Sequence, residues 1–311
     1  MRKLDQTVLI LVGPTASGKT EVAVQLAHQL NGEIISADSR QIYRFMDIGT
    51  ATPNLSERRG IPHYGFDILN PDESFSAGRF AAMARKWVEE IHGHGKCAII
   101  AGGSGLYLKG LIDGFYSGEE IKDEEIRHRL NQRANNLGIH ALYEELQKID
   151  PDYCEIIVPT DRQRILRALE VIEVTGKPFS LLHQKKRDNA PWNALWFGME
   201  LPRELLYDRI NLRVTRMLDM GLLAEVRDLL DRGFENTYTM KSVGYEESAA
   251  YLRGEIGSID EMIALIQKNT RQYAKRQLTW FRPNERIQWV NAEKKSAVQV
   301  AEQIRLVYTT S

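Results

Sequence analysis

Short apolar runs alternate along the chain with longer stretches in which apolar residues recur every three or four positions. Thr7–Val12 and residues 33–36, 97–101 and 194–201 read as strands, with shorter candidates at 63–69 and 286–290. The run 97–101 has no polar face, as in a strand covered on both sides. Helical periodicity occupies residues 21–30, 76–92, 202–232 with a break at Gly221, Ile259–Phe281 and 296–308. In 76–92 it places Phe80, Met83, Ala84, Trp87, Val88 and Ile91 on one face. Strands and helices in alternation predict an α/β fold with a parallel sheet flanked by helices. Residues 119–188 break the pattern. They hold no strong strand and read as helices over 123–137, 140–149, 161–175 and 179–186, separated by Pro151, Pro159 and Pro178. The expected organisation is a core domain from residues 1–118 and 189–311 with an all-helical insertion at 119–188.

Charge and cysteine content narrow the setting. The 311 residues carry a formal net charge of −1, so any nucleic-acid surface must be local. The two cysteines, Cys97 and Cys154, stand far apart in sequence, which argues against a disulfide framework or zinc site and fits a reducing compartment. The residues before Thr7 lead into an apolar run too short for a signal peptide or a membrane span. A soluble, cytoplasmic, monomeric protein is expected.

The stretch joining the first strand to the first helix brings in chemistry. Gly13-Pro14-Thr15-Ala16-Ser17-Gly18-Lys19-Thr20 fits the P-loop pattern in the strand–turn–helix context that pattern requires. Its glycines let successive amides face one anion, and the helix adds its positive dipole end. Lys19 supplies a mobile charge and Thr20 a hydroxyl suited to Mg²⁺. Asp38 follows the second strand and so faces the same crevice, either as a reacting carboxylate or as the cap of a helix whose first turn is 39–42. Gly102, Gly103 and Gly105 leave another strand end and permit close approach of backbone to a ligand. His63 reads as a loop hydrogen-bonder. Arg209, Arg213 and Arg216 share a helix face that either meets solvent or points into the crevice. Between Lys268 and Arg282 five basic residues and no acid interleave with Tyr273, Trp280 and Phe281. That mixture suits a phosphodiester backbone and an unstacked base, or a surface helix with a core-facing aromatic stripe.

A P-loop usually implies ATP. The 97–101 strand, however, ends in glycine rather than the acid of a Mg²⁺-binding strand, which argues against a motor or switch NTPase. Three readings remain: a small-molecule kinase with Asp38 as base, a reaction in which diphosphate leaves, and a non-catalytic RNA-binding protein with a vestigial nucleotide site. The segments Ala37-Asp38-Ser39-Arg40-Gln41-Ile42-Tyr43, Asp47-Ile48-Gly49-Thr50-Ala51 and Gly102-Gly103-Ser104-Gly105-Leu106-Tyr107 carry a resemblance, as do residues 161–170, 209–214, 243–245 and 270–282. Together with the P-loop they make the chain similar to the tRNA dimethylallyltransferases, or tRNA isopentenyltransferases.

The resemblance implies a P-loop NTPase-like fold and transfer of a dimethylallyl group from its diphosphate to N6 of adenine 37 in the anticodon stem-loop of tRNA. It implies Asp38 as general base, with Lys19 and Thr20 also catalytic. The diphosphate would be held by Gly13, Thr15, Ala16, Ser17, Gly18, Lys19, Thr20 and Arg213, with Mg²⁺ at Thr20 and Arg209 a further candidate. tRNA contacts would come from Asp38, Ser39, Arg40, Gln41, Ser104 and Arg127, from Gln163, Arg164 and Arg167, and from Lys275, Arg276, Gln277, Thr279, Trp280 and Arg282. Thr52 and Glu246 stand where the family commonly has lysine, so no phosphate contact is carried to them.

Overall fold

The structure, a computed structural model, describes residues 7–114, 123–183 and 189–310. The chain divides into two compact units, Met1–Ile112 with Pro191–Ser311, and Asp113–Ala190. The bounds expected from sequence, 119 and 188, lie outside the described residues, as do positions 184–186 of the expected last insertion helix.

In the first unit, β1 (Thr7–Val12), β2 (Gly32–Ser36), β3 (His63–Tyr64), β4 (Cys97–Gly102), β5 (Asn193–Glu200) and β6 (Ile287–Asn291) form one sheet in the order β3-β2-β4-β1-β5-β6. Every pairing is parallel, and Leu9 of β1 sits opposite both Ile99 of β4 and Leu195 of β5. β1 is buried along its whole length, which is why it reads as an unbroken apolar run. α1 (Lys19–Leu30) and α14 (Ala297–Thr310) pack together over one face, where Val22, Leu26, Val300 and Ile304 meet Leu9, Leu11 and Phe197. α3 (Ala77–Gly93), capped by Ser76, packs against β2 and β4. A second core joins α10 (Arg203–Asp219), α11 (Leu222–Asp231), α12 (Tyr245–Leu252) and α13 (Ile259–Phe281) to the segment after β2. It is built on Tyr245, Met262 and Ile266 against Ile42, Tyr43 and Met46.

Because every strand runs the same way, their carboxyl ends share one edge. The P-loop, Ala37-Asp38 and Gly103-Ser104 all leave from that edge, the ligand edge of an open α/β sheet.

Several expectations need correction. Residues 39–42 form bends and turns, not a helix, because the Asp38 side chain accepts from Arg40 N–H at 2.9 Å and closes a local turn instead. The strand expected at 63–69 is only His63–Tyr64; Leu69 instead bridges to Tyr43. Four helices escaped the sequence pattern: α2 (Leu55–Arg58), α4 (Gly105–Asp113), α7 (Pro151–Cys154) and α12. The first and third are single turns; α4 opens on the glycine-rich stretch 102–105, which reads as loop, and α12 is a short helix that follows Gly244.

The second unit is helical: α5 (Glu124–Leu137), α6 (Ile139–Ile149), α7, α8 (Arg162–Thr175) and α9 (Phe179–His183). Leu130, Leu142, Leu146, Ile165 and Leu169 form its core. Glu170, 1% exposed, is its one fully buried glutamate among the described residues. It accepts Arg127 and Arg167, each at 2.9 Å, and Asp123 N–H at 3.2 Å. Burial alone would raise this carboxyl, but the bonds from Arg167, Asp123 N–H and Arg127 outweigh it and hold it below the usual range. Its contribution is therefore complete above about pH 4.5 and is lost as pH falls through the depressed native value. Glu170→Gln removes the negative charge that Arg127 and Arg167 share and should cost about 2 kcal/mol, read from the denaturation midpoint of the full chain. It should also flatten the fall in stability on acidification.

Candidate active site

The site forms where β1 turns into α1. Gly18 caps the helix in the left-handed region, at φ 92°, and offers no side-chain acceptor to the first-turn amides. Those amides and the helix dipole therefore present positive potential to the cleft. Two other loop amides are engaged within the chain: Ser17 N–H donates to Pro14 O at 3.3 Å, and Thr15 N–H to Gln277 Oε1 at 2.8 Å. Thr15 thus contributes shape rather than an amide in this structure. Ser17 Oγ is buried with no hydrogen-bond partner among the described residues. Lys19 Nζ donates back to Pro14 O at 3.0 Å.

A cleft of about 420 Å³ opens beside the loop. Thr15, Lys19, Thr20, Asp38 and Arg213 line it together, with Arg40, Gln41 and Ser39 on one side and Tyr273, Arg276 and Gln277 on another. Gly13, Pro14, Ala16, Ser17 and Gly18 form the rest of the loop outside that lining. Burial pushes the Lys19 ammonium down to about 8; Asp38 opposes that shift and Arg213 adds to it. Arg213 is likewise lowered by burial and held up by Asp38. One carboxylate therefore sits electrostatically between two cations. Arg209 stands against the P-loop outside the cleft lining: a Cβ placed on Gly18 would lie 3.7 Å from its Nη1. Of the arginine row on α10, Arg209 faces the loop and Arg213 the cleft, while Arg216 is exposed.

The strand-end glycines pack closely against the chain itself, and Gly102 also lines the cleft. A Cβ on Gly102 would fall 2.1 Å from Ala37 O, on Gly103 2.0 Å from Gln277 Nε2, and on Gly105 2.0 Å from Trp280. They admit neighbouring parts of this chain. Gln277 is 6% exposed and couples Thr15 to Gly103, donating to Gly103 O at 3.2 Å. Gln41 accepts from Ser36 Oγ at 2.8 Å and donates to Ala51 O at 3.1 Å. Ser104 Oγ accepts from Ser39 N–H at 3.0 Å. These three side chains, expected at the RNA, are thus bonded within the protein.

Arg40 lies over the exposed Tyr238 ring, 4.6 Å from its centre, and Arg276 lies 5.8 Å from the Tyr273 ring. Lys275, Thr279, Trp280 and Arg282 are exposed and lie outside the cleft lining. Within the helical unit, Arg127 and Arg167 engage Glu170, and Gln163 and Arg164 are exposed. His63 Nδ1 meets Ile61 O at 2.8 Å, a loop bond of the expected kind. Tyr238, Lys241 and Tyr245 line the cleft without having been singled out from sequence; only Tyr245, inside the Val243-Gly244-Tyr245 segment, had a motif to signal it.

A parallel sheet of this order, with a glycine-framed loop between a central strand and its helix, defines a P-loop α/β protein with a helical insertion. The IPP transferase family model matches residues 41–284. The tRNA dimethylallyltransferase of Acetivibrio thermocellus is 46% identical over 92% of this chain and 92% of its own, and that of Carboxydothermus hydrogenoformans 43% over 97% of each. Among solved structures, the tRNA isopentenylpyrophosphate transferase of Bacillus halodurans is similar at TM-score 0.72 and 39% identity, covering 98% of this chain and 97% of that one. A eukaryotic dimethylallyltransferase, described as acting on tRNA, matches at TM-score 0.83 and 27% identity over 97% and 78%. The chain belongs to the IPP transferase family.

Proposed function

We propose that this protein transfers the dimethylallyl group of dimethylallyl diphosphate to N6 of adenine 37, next to the tRNA anticodon, and releases diphosphate. The observation that carries the reading is the shared cleft: Lys19, Thr20 and Arg213 line it together with the carboxylate of Asp38. An allylic carbon–oxygen bond ionises readily because the resulting cation is delocalised, so the charge gathering on the departing diphosphate dominates the barrier. Lys19, Arg213 and the first-turn amides of α1 would stabilise that charge. The adenine N6 lone pair is conjugated with the ring and nucleophilic only as its proton leaves. As the new N6–carbon bond forms, Asp38 takes that proton, and the bonding pair of the broken carbon–oxygen bond goes with diphosphate. The base must leave its stack to reach this centre.

Mg²⁺ fits the donor chemistry. Thr20 offers an exposed hydroxyl in the cleft, and Mg²⁺ commonly takes one or two protein oxygens beside substrate phosphates rather than a dedicated cage. When bound at Thr20 it would add charge neutralisation on the leaving diphosphate. No helix among the described residues is long and apolar enough to cross a membrane. We place the protein in the cytoplasm as a monomer.

Exposed Arg276, on the rim of the cleft, is read as a backbone-phosphate contact. Arg276→Ala should weaken tRNA binding and lower the salt slope of log K by about 1. An unchanged slope in a filter-binding series would remove it from the interface. The reading as a whole is tested by incubating the protein with Mg²⁺, ATP, labelled dimethylallyl diphosphate and unmodified tRNA. Label is expected in the tRNA; no transfer, with ATP consumed in its place, would favour a kinase.

A further inference from the structure

Glu225, in the first turn of α11, receives an unusual number of donors. Asp47 N–H and Ile48 N–H donate to its Oε2 at 3.0 and 2.7 Å, Gly49 N–H to its Oε1 at 3.1 Å, and the Tyr245 hydroxyl to the same Oε1 at 2.7 Å. Three consecutive amides converging on one anion form a backbone nest, and here the anion belongs to the protein. Tyr245 is fully buried and its ring lies against Gly49, where a Cβ would fall 2.4 Å from it. The clamped loop ends at the cleft. Thr50 O, one residue past the nest, accepts Arg213 Nη2 at 3.2 Å and Gln41 Nε2 at 3.4 Å. Among the described residues Thr50 O is the hydrogen-bond acceptor of Arg213, and it sets where the guanidinium rests.

We infer that Glu225 is a positioning residue for diphosphate binding: it fixes the 47–49 nest, through it the Thr50 carbonyl, and through that the Arg213 guanidinium in the cleft. The inference rests on the diphosphate reading of the P-loop cleft given above. Its physical basis is the stake of a half-buried polar network. Four donors lose their acceptor together when the carboxylate goes, and the loop between them carries the one carbonyl that orients the cation. The glutamine side chain cannot replace the carboxylate, because its NH₂ would face amide donors on one side of the fork.

The probe is inorganic diphosphate with Mg²⁺, titrated by calorimetry into the full-length protein, its Glu225→Gln, Tyr245→Phe and Arg213→Ala variants, and the two doubles with Arg213→Ala. Glu225→Gln is expected to weaken diphosphate about 10-fold and Tyr245→Phe about 3-fold, sizes within the coupling range of residues in one network. In the Arg213→Ala background both losses should shrink to less than about 2-fold, because the group through which they act is gone. In turnover, the KM for dimethylallyl diphosphate should rise while that for tRNA stays. If Glu225→Gln does not fold, Tyr245→Phe and its double decide the matter. A wild-type affinity in the folded variants, or the same loss with and without Arg213, would overturn the inference. Wild-type protein that binds no diphosphate would reject the functional reading beneath it.

Discussion

Asp38→Ala is expected to lower single-turnover prenyl transfer at least ~100-fold, the usual size of a general-base contribution. The accompanying change in binding is what makes the result diagnostic. Asp38 is the carboxylate that faces both Lys19 and Arg213 across the cleft. Removing it leaves the site more positive, so the KM for dimethylallyl diphosphate should hold or fall while kcat collapses. A variant with near-normal turnover would end the base assignment. One that loses kcat and diphosphate binding together would instead make Asp38 part of the diphosphate site. Asp38 closes its local turn through Oδ1 alone and still lines the cleft, so the structural and chemical roles of this residue are compatible.

Lys19→Met should be comparably severe, about 10²–10³-fold in kcat, as for loss of a preorganised group facing developing negative charge. Here the pH dependence adds a second check. Burial, opposed by Asp38, holds this ammonium at about 8. A bound diphosphate favours the charged form and raises that value. Below about pH 8 the lysine is already protonated and affinity should be flat. Above it, binding must take up a proton, so the KM for dimethylallyl diphosphate should climb by up to about tenfold per pH unit. Calorimetry in buffers of different ionisation heat should show that uptake on the alkaline side only. Lys19→Met should abolish both effects. A KM that stays level through pH 9 in the wild type would contradict the placement of Lys19 on the diphosphate.

Much of this arrangement could be read from residue order alone, for definable reasons. β1, β2, β4 and β5 are apolar because both faces of a parallel sheet are covered, and the P-loop is recognisable because its glycines and lysine meet the anion through main-chain geometry. Helices with a full amphipathic repeat, such as α13 from Ile259 to Phe281, had the expected bounds. What escaped depends on distant partners. Glu225 looks like any acid on an amphipathic helix; only the fold brings it to the 47–49 amides, 176 to 178 residues away in sequence. Gly103 and Gln277 are each unremarkable alone, yet the glycine exists to admit that amide, and the amide holds the P-loop. Arg127 and Arg167 look like basic surface residues until the fold buries Glu170 between them. A single sequence displays the periodicity of elements well and the pairing of side chains across them poorly.

The most direct measurement is the position of the adduct. An unmodified anticodon stem-loop would be incubated with protein, Mg²⁺ and dimethylallyl diphosphate, digested, and sequenced by mass spectrometry. One dimethylallyl group on N6 of the adenine 3′ of the anticodon, absent with Asp38→Ala protein, is the predicted result. An unmodified loop, or an adduct spread over other bases and indifferent to Asp38, would contradict the account.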